Sequence, residues 1–213
     1  DRRFIAVSCW DHDTRVWDTL HDRLLAKLPS VTRIDGDWTS AFPAVSAAGD
    51  RAAIARGNTV EIYELPGARL LRAIPHRAAV NAVAFASSGH DLVTGAIDGS
   101  LLVTRDGRDP NALPTSPDGI DVAGFLPDGR VIAAAGHRLR LYDADRKAVL
   151  ADLEIPSRVM LLRTSLDGRR LITIPNYTTP VPPMLWDLEQ YRMVTLLEGH
   201  VGRVFSARFV GDG

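Results

Sequence analysis

Short stretches in which apolar and polar residues alternate recur along the whole chain, each closed by a turn. Val80, Ala82 and Ala84 alternate with Asn81, Val83 and Phe85; Thr59, Glu61 and Tyr63 alternate with Val60 and Ile62. A period of two is the period of a strand. Asp98-Gly99, Asp128-Gly129, Asp167-Gly168 and Gly57-Asn58 punctuate these stretches and supply the positive φ that tight turns need. No helical period of useful length is present. Residues 76–117 set out one unit: an apolar inner strand (AVNAVAFAS), a small-residue strand (DLVTGAI), a third (SLLVTRD) and a weaker outer one. Inner strands rich in Ala and Val suit sheets packed face to face.

The unit repeats. Gly49, Gly89, Gly129, Gly168 and Gly213 each follow a short apolar stretch and a turn, at spacings of 40, 40, 39 and 45. An aromatic closes the third strand of most units (Trp17, Tyr63, Tyr142, Trp186), with Thr104 in the equivalent place of the third. Two landmarks on one beat, near forty residues with several strands per beat, mark propeller blades. The expectation is an all-β chain, a β-propeller of about five four-stranded antiparallel blades in one domain. The C-terminal GHVGRVFSARFVGDG and the N-terminal DRRFIAVSCWDHDTRVWD together make one unit. The first blade is therefore expected to be split, as 200–213 plus 1–29, with further blades at roughly 30–75, 76–117, 118–156 and 157–199. Pairing of residues 200–210 beside residues 3–9 would close the ring, and such a ring is expected to be monomeric. The alternative is a segment of a larger ring with open sheet edges, which invite aggregation.

Gly199-His200 ahead of an inner strand, and Trp17-Asp18 and Trp186-Asp187 closing third strands, resemble the WD-repeat β-propellers. The resemblance covers the chain at the level of its period and is sharpest in the composite unit. It implies a structural tetrad of His200, Ser8, Asp11 and Trp17, in which imidazole, hydroxyl and indole satisfy a buried carboxylate. His76 and Asp98 form a partial tetrad in the third unit. Elsewhere the pattern departs: Gly57, Gly136 and Pro180 stand at the turn-Asp place. The resemblance also implies binding on the rim beside the inner strands, where Trp10, Ile97, Asn81, Arg77, Arg203, Trp38 and Arg158 are the matching positions. It makes the partner a protein or peptide and allows a seven-bladed parent ring, with this chain as part of a larger multidomain protein.

Composition narrows the classes. With 46% apolar residues in 213, a sizeable core is available. A net charge of −1 argues against a nucleic-acid partner, and no apolar run reaches a membrane span. One cysteine, Cys9, excludes an internal disulfide and fits a reducing, cytoplasmic setting as a buried, inert thiol. Lys27 and Lys147 are the only lysines beside many arginines, which points to a bacterial, GC-rich coding sequence. The chain begins inside a blade and stops at a turn, as a piece of something longer would.

No GxSxG elbow, HExxH pair or phosphate loop occurs. His12, His21, His90 and His137 fall in turns of different units, so no metal site and no cofactor are expected. The leading expectation is a non-catalytic interaction scaffold that binds a protein or peptide on the propeller rim or over its central channel. The alternative is a propeller enzyme, a metal-dependent lactonase or hydrolase with its site in the channel, for which Asp121 and Asn81 are the available polar groups. The Pro175–Pro183 stretch is expected to protrude as a loop, and 105–119 is the poorest in strand character.

Overall fold

A computed structural model of the chain describes residues 4–8, 13–29, 43–106, 108–176 and 180–210. Among them there are strands and no helix, in five antiparallel sheets that follow one another along the chain. The first holds β1 (Phe4–Ser8), β2 (Asp13–Asp18) and β3 (Arg23–Pro29). The second holds β4 (Ala44–Val45), β5 (Arg51–Arg56), β6 (Thr59–Glu64) and β7 (Arg69–Pro75). The third holds β8 (Val80–Phe85), β9 (Leu92–Ala96), β10 (Leu101–Thr104) and β11 (Asn111–Ala112). The fourth holds β12 (Ile120–Phe125), β13 (Val131–Ala135), β14 (Arg138–Asp143) and β15 (Ala148–Glu154). The fifth holds β16 (Val159–Thr164), β17 (Arg170–Pro175), β18 (Met184–Asp187) and β19 (Arg192–Leu196). Within each sheet the strands are neighbours in chain order. This is the β-propeller arrangement that the forty-residue period predicts.

Four apolar clusters lie between successive sheets, and the pleat decides which residue enters which. On β5, Ala52 and Ile54 meet Val16, Ala26 and Leu28 of the first sheet, whereas Ala53 meets Val80, Leu92 and Ala96 of the third. On β13, Val131, Ala133 and Ala135 pack with Val93, Leu101 and Val103 of the third sheet. Ile132 and Ala134 pack with Leu171, Met184 and Trp186 of the fifth. Successive side chains of one strand thus serve opposite neighbours. Covered on both faces, β9 and β13 are buried at every residue, so they read as apolar runs and not as alternation.

Four sheets share one device where the last strand but one turns into the last. An acid ends the former, and the residue four positions on has positive φ: Asp18 and Asp22, Glu64 and Ala68, Asp143 and Lys147, Asp187 and Tyr191. Asp187 Oδ1 accepts the Glu189 and Gln190 N–H groups, both at 2.9 Å, and Asp143 Oδ1 accepts those of Asp145 and Arg146 at 3.0 and 2.9 Å. The aromatic just before the acid lies at a β-bulge in all four. The third sheet has Thr104-Arg105 there, no bulge, and a fourth strand of two residues.

The expected pairing of 200–210 with 3–9 does not occur among the described residues. Residues 203–210 belong to no strand and the first sheet has three strands, not four. The consequence is visible on its outer face. Tyr63, Tyr142 and Trp186 are buried at 7%, 1% and 3% exposure against the preceding sheet, whereas Trp17 is 37% exposed, with Ile5 at 46% and Val7 at 49% on the same face.

The close approach of sheets yields a stability test. A Cβ at Gly95 would lie 2.5 Å from Ile120 Cγ2, and Ile120 is fully buried. Gly95→Val is expected to destabilise the fold by about 1–3 kcal/mol through overpacking, read as a lower midpoint in urea. An unchanged midpoint would mean that the third and fourth sheets are not packed in this register.

Candidate functional site

In the third unit, His76 and Asp98 are linked through a chain of hydrogen bonds. His76, which precedes β8, is buried, with its Nε2 2.9 Å from Thr94 Oγ1 on β9 and its Nδ1 3.4 Å from Ser100 Oγ. Ser100 donates to Asp98 Oδ1 at 2.6 Å, and its backbone N–H donates to the same oxygen at 3.0 Å. A consistent assignment makes the imidazole neutral: Thr94 donates to Nε2, Nδ1–H donates to Ser100, and Ser100 donates to Asp98. Burial pushes the His76 imidazole below the ordinary histidine range, against a weaker pull upward from Asp98. The Ser100 hydroxyl holds Asp98 below the usual carboxylate range, burial opposing it.

The fifth sheet carries the complementary half. Trp186 Nε1 donates to Thr173 Oγ1 at 2.9 Å, and both residues are buried. Neither Thr94 nor Thr173 was singled out from the sequence. Thr94 stands four residues before Asp98, an offset that would have found it. Register sets the place equivalent to Thr173 in the composite unit. Trp186 opposes Leu171 and reaches Thr173 two residues on; Trp17 opposes Ile5, and the same step lands on Val7, not on Ser8. His200, expected inside that tetrad, is exposed, because no strand formed by 203–210 brings it beside the first sheet. Asp11 lies outside the described residues.

The turns between second and third strands meet the loops that lead into the inner strands, and this end of the sheets forms one rim. Ile97 N–H donates to Ala79 O at 2.9 Å, and Asn176 N–H to Arg158 O at 2.9 Å. Ile97 is half exposed and Arg77 is exposed; Asn81 is half-buried on β8. Arg203 is exposed. Arg158 is exposed but engaged: its Nε lies 3.1 and 3.2 Å from the two carboxylate oxygens of Asp121, and Asp121 Oδ2 also accepts the Gly136 N–H at 3.0 Å. The rim thus brings Ile97, Arg77, Asn81 and Arg158 together with Asp121. Trp10 and Trp38 lie outside the described residues.

The opposite end is a lattice of charges that sequence reading passed over. His90 Nε2 is 2.9 Å from both oxygens of Asp50 in the second sheet, and its Nδ1 is 3.2 Å from Asp106. Arg51 donates to Asp106 at 2.6 Å and Ser46 to Asp50 at 2.8 Å. Burial alone would raise Asp50, but hydrogen bonds from His90 and Ser46 outweigh it and hold the carboxyl low. Arg105 bonds Asp91 of its own sheet and reaches Asp145 of the fourth at 2.6 Å. The signal in the sequence was the residue after each turn glycine, Asp50 and His90, forty apart.

These sheets, packed in succession around a common order, define a β-propeller. The sequence of residues 69–104 matches the model of the WD domain, G-beta repeat. Among solved structures, U3-55K matches with a TM-score of 0.72 at 18% identity, covering 90% of this chain and 59% of that one. Identity that low speaks for the fold, and the chain spans under two thirds of that relative. Sequence comparison with curated proteins finds no match. Residues 69–104 are thus similar to one WD repeat, and the fold of the chain is that of a β-propeller.

The lowered His76 gives a pH prediction with a definite sign. The unfolded chain binds a proton that the folded chain refuses, so His76 contributes stability above the ordinary histidine pKa of about 6.5 that is lost as pH falls through the lower folded value. His76→Gln is expected to flatten the fall in melting temperature between neutral and mildly acidic buffer. An undiminished fall in the variant would assign the acid sensitivity to another group.

Proposed function

We propose that the chain is a non-catalytic interaction platform that binds a protein or peptide on the rim formed by Ile97, Arg77, Asn81 and Arg203, with Trp10 and Trp38 belonging to the same surface and Arg158 engaged only after release from Asp121. The observation that carries this reading is the division of labour between polar groups. His76, Asp98 and Asp121, at the rim end of the sheets, are held by Thr94, Ser100, Arg158 and backbone N–H groups. Ile97 and Arg77 stand exposed beside them, and exposed Arg with an apolar neighbour is the chemistry of binding hot spots. The Arg158–Asp121 pair also speaks against the channel hydrolase, since it occupies the one carboxylate assigned to a cation there. A protein partner, a reducing cytoplasmic setting and a bacterial origin belong to the same reading, the last two supported by the single cysteine and the arginine bias.

We further propose that residues 200–210 pair beside β1 and complete the first sheet, bringing His200 towards Asp11 and Trp17. The exposed face of Ile5, Val7 and Trp17 supports it, as does the alternation of Val204, Ser206 and Arg208 with Phe205, Ala207 and Phe209.

Ile97→Asp with Arg77→Glu is expected to abolish capture of the partner in affinity purification from the native cell, with melting unchanged, while Arg146→Ser at the opposite end leaves capture intact. Equal capture by all three proteins would remove the rim from the reading. Deleting residues 200–213 is expected to lower the melting temperature more than deleting 177–179; an unchanged melting temperature would end the closure proposal.

A further inference from the structure

His90 stands at the seam between the second and third sheets with a carboxylate before each ring nitrogen. Its Nε2 lies 2.9 Å from both oxygens of Asp50, and its Nδ1 lies 3.2 Å from Asp106. Three segments converge there: Asp50 closes the turn into β5, His90 sits in the turn from β8 to β9, and Asp106 follows β10. Turning the ring over would set its carbon atoms against the same two carboxylates. A neutral imidazole has one N–H and one lone pair. It donates to Asp50 or to Asp106 and turns the lone pair on the other. Only the imidazolium donates to both.

The surrounding charges argue the same way. Arg51 Nη1 donates to Asp106 at 2.6 Å, and the Ser46 hydroxyl to Asp50 at 2.8 Å. Two carboxylates against one guanidinium leave one negative charge unmatched, and a protonated ring matches it. The neighbours are already engaged: Glu64 with Arg69 in the second sheet, and Arg105 of the third with Asp91 and with Asp145 of the fourth. Burial raises Asp50, but hydrogen bonds from His90 and Ser46 and the charge of the ring outweigh it. Hydrogen bonds from Arg51 and His90 hold Asp106 below the usual carboxylate range, burial opposing them. Both carboxylates are therefore ionised wherever the ring titrates.

We propose that His90 is a proton-operated clasp between the second and third sheets, closed when the ring carries its proton and half-released when the proton leaves. Closed, one ring ties the turn before β5 to the segment after β10. Released, one carboxylate loses its donor and faces a lone pair. The seam then loosens at this end, while the cluster of Ala53, Val80, Leu92 and Ala96 keeps the sheets packed. The sense is opposite to that of His76. Closing takes up a proton, so the stability that the clasp contributes is present below the ordinary histidine pKa of about 6.5 and is lost as pH rises above it. Asp50 and Asp106 are half exposed, so salt weakens the clasp.

The test compares melting temperatures of the full chain against pH for the wild type, His90→Lys and His90→Gln. Lysine keeps a charge throughout, glutamine never carries one, and His76 is common to all three. From mildly acidic to mildly alkaline buffer, the wild type is expected to fall by about 2–4 °C relative to both variants, by less at high salt. In the wild type alone, amide exchange reads the seam directly. Gly49 N–H donates to Ser46 O at 2.9 Å and Arg51 N–H to Ser46 Oγ at 3.0 Å. Their protection, corrected for the intrinsic rate, is expected to drop over the same range while that of Ala133 on β13 stays constant. The same pH dependence in all three proteins, or unchanged protection at Gly49 and Arg51, would overturn the proposal.

Discussion

Stacking of one sheet on the next governs what every buried position tolerates. A second strand sits between two neighbours, and its successive residues answer to one and then the other. Ala53 faces Val80 and Leu92, while Ala52 and Ile54 face Val16 and Leu28. The run of alanines on β13 has the same origin, because large side chains from both neighbours converge on it. Gly95 marks a close approach of the third and fourth sheets, where Ile120 occupies the space a side chain would need. A stack built this way is stiff, since none of the three middle sheets can shift without disturbing two apolar clusters. The loops at the sheet ends inherit that stiffness and hold their side chains at fixed spacing.

The third sheet tests how much of the local pattern is dispensable. Thr104-Arg105 replaces the aromatic and acid that organise the turn elsewhere. The bulge is missing, the positive-φ residue is missing, and the outer strand shrinks to Asn111–Ala112. Thr104 Oγ1 is buried with no hydrogen-bond partner among the described residues, a cost that a tryptophan donating to Thr94 would avoid. Arg105 compensates from the same place by tying Asp91 to Asp145 in the next sheet. A turn held locally has been exchanged for one held between sheets. This is also the unit that matches the WD repeat, because the matched stretch ends at Thr104 and includes His76, Thr94 and Asp98.

Much of the architecture was legible because it repeats. Turn glycines and third-strand aromatics recur where each sheet needs them, so period alone places sheets along the chain. The weak outer strand was visible in Asp109, Pro110 and Pro114, which offer little to a ladder. Register was harder. Ser8 is the hydroxyl residue of the strand ahead of Asp11, whereas the pairing of Trp17 with Ile5 sets Val7 at the place equivalent to Thr173. His90 looked like a stray turn histidine, since its partners Asp50 and Asp106 lie forty and sixteen residues away. Contacts between sheets connect residues one period apart, and a period reveals equivalence without revealing contact. Closure suffers most, because equivalence of the two terminal segments is a matter of sequence and pairing is a matter of geometry.

The distribution of charge along the two ends follows from these constraints. At one end, arginine, histidine and aspartate bridge successive sheets: Arg51 on Asp106, His90 on Asp50, Arg72 on Asp109, Arg105 on Asp145. Side chains so engaged are poor ligands for a partner, which would have to break a pair before forming one. At the other end, the inter-sheet tie is concentrated in Arg158 and Asp121, and the tetrad groups are turned inward. Ile97 and Arg77 are left facing solvent on a rigid frame. Binding there requires no prior rupture of the ring's own contacts and little ordering of the backbone that presents it, and both lower the cost of association. The same stacking that silences the buried polar groups therefore leaves the rim as the surface with free valence.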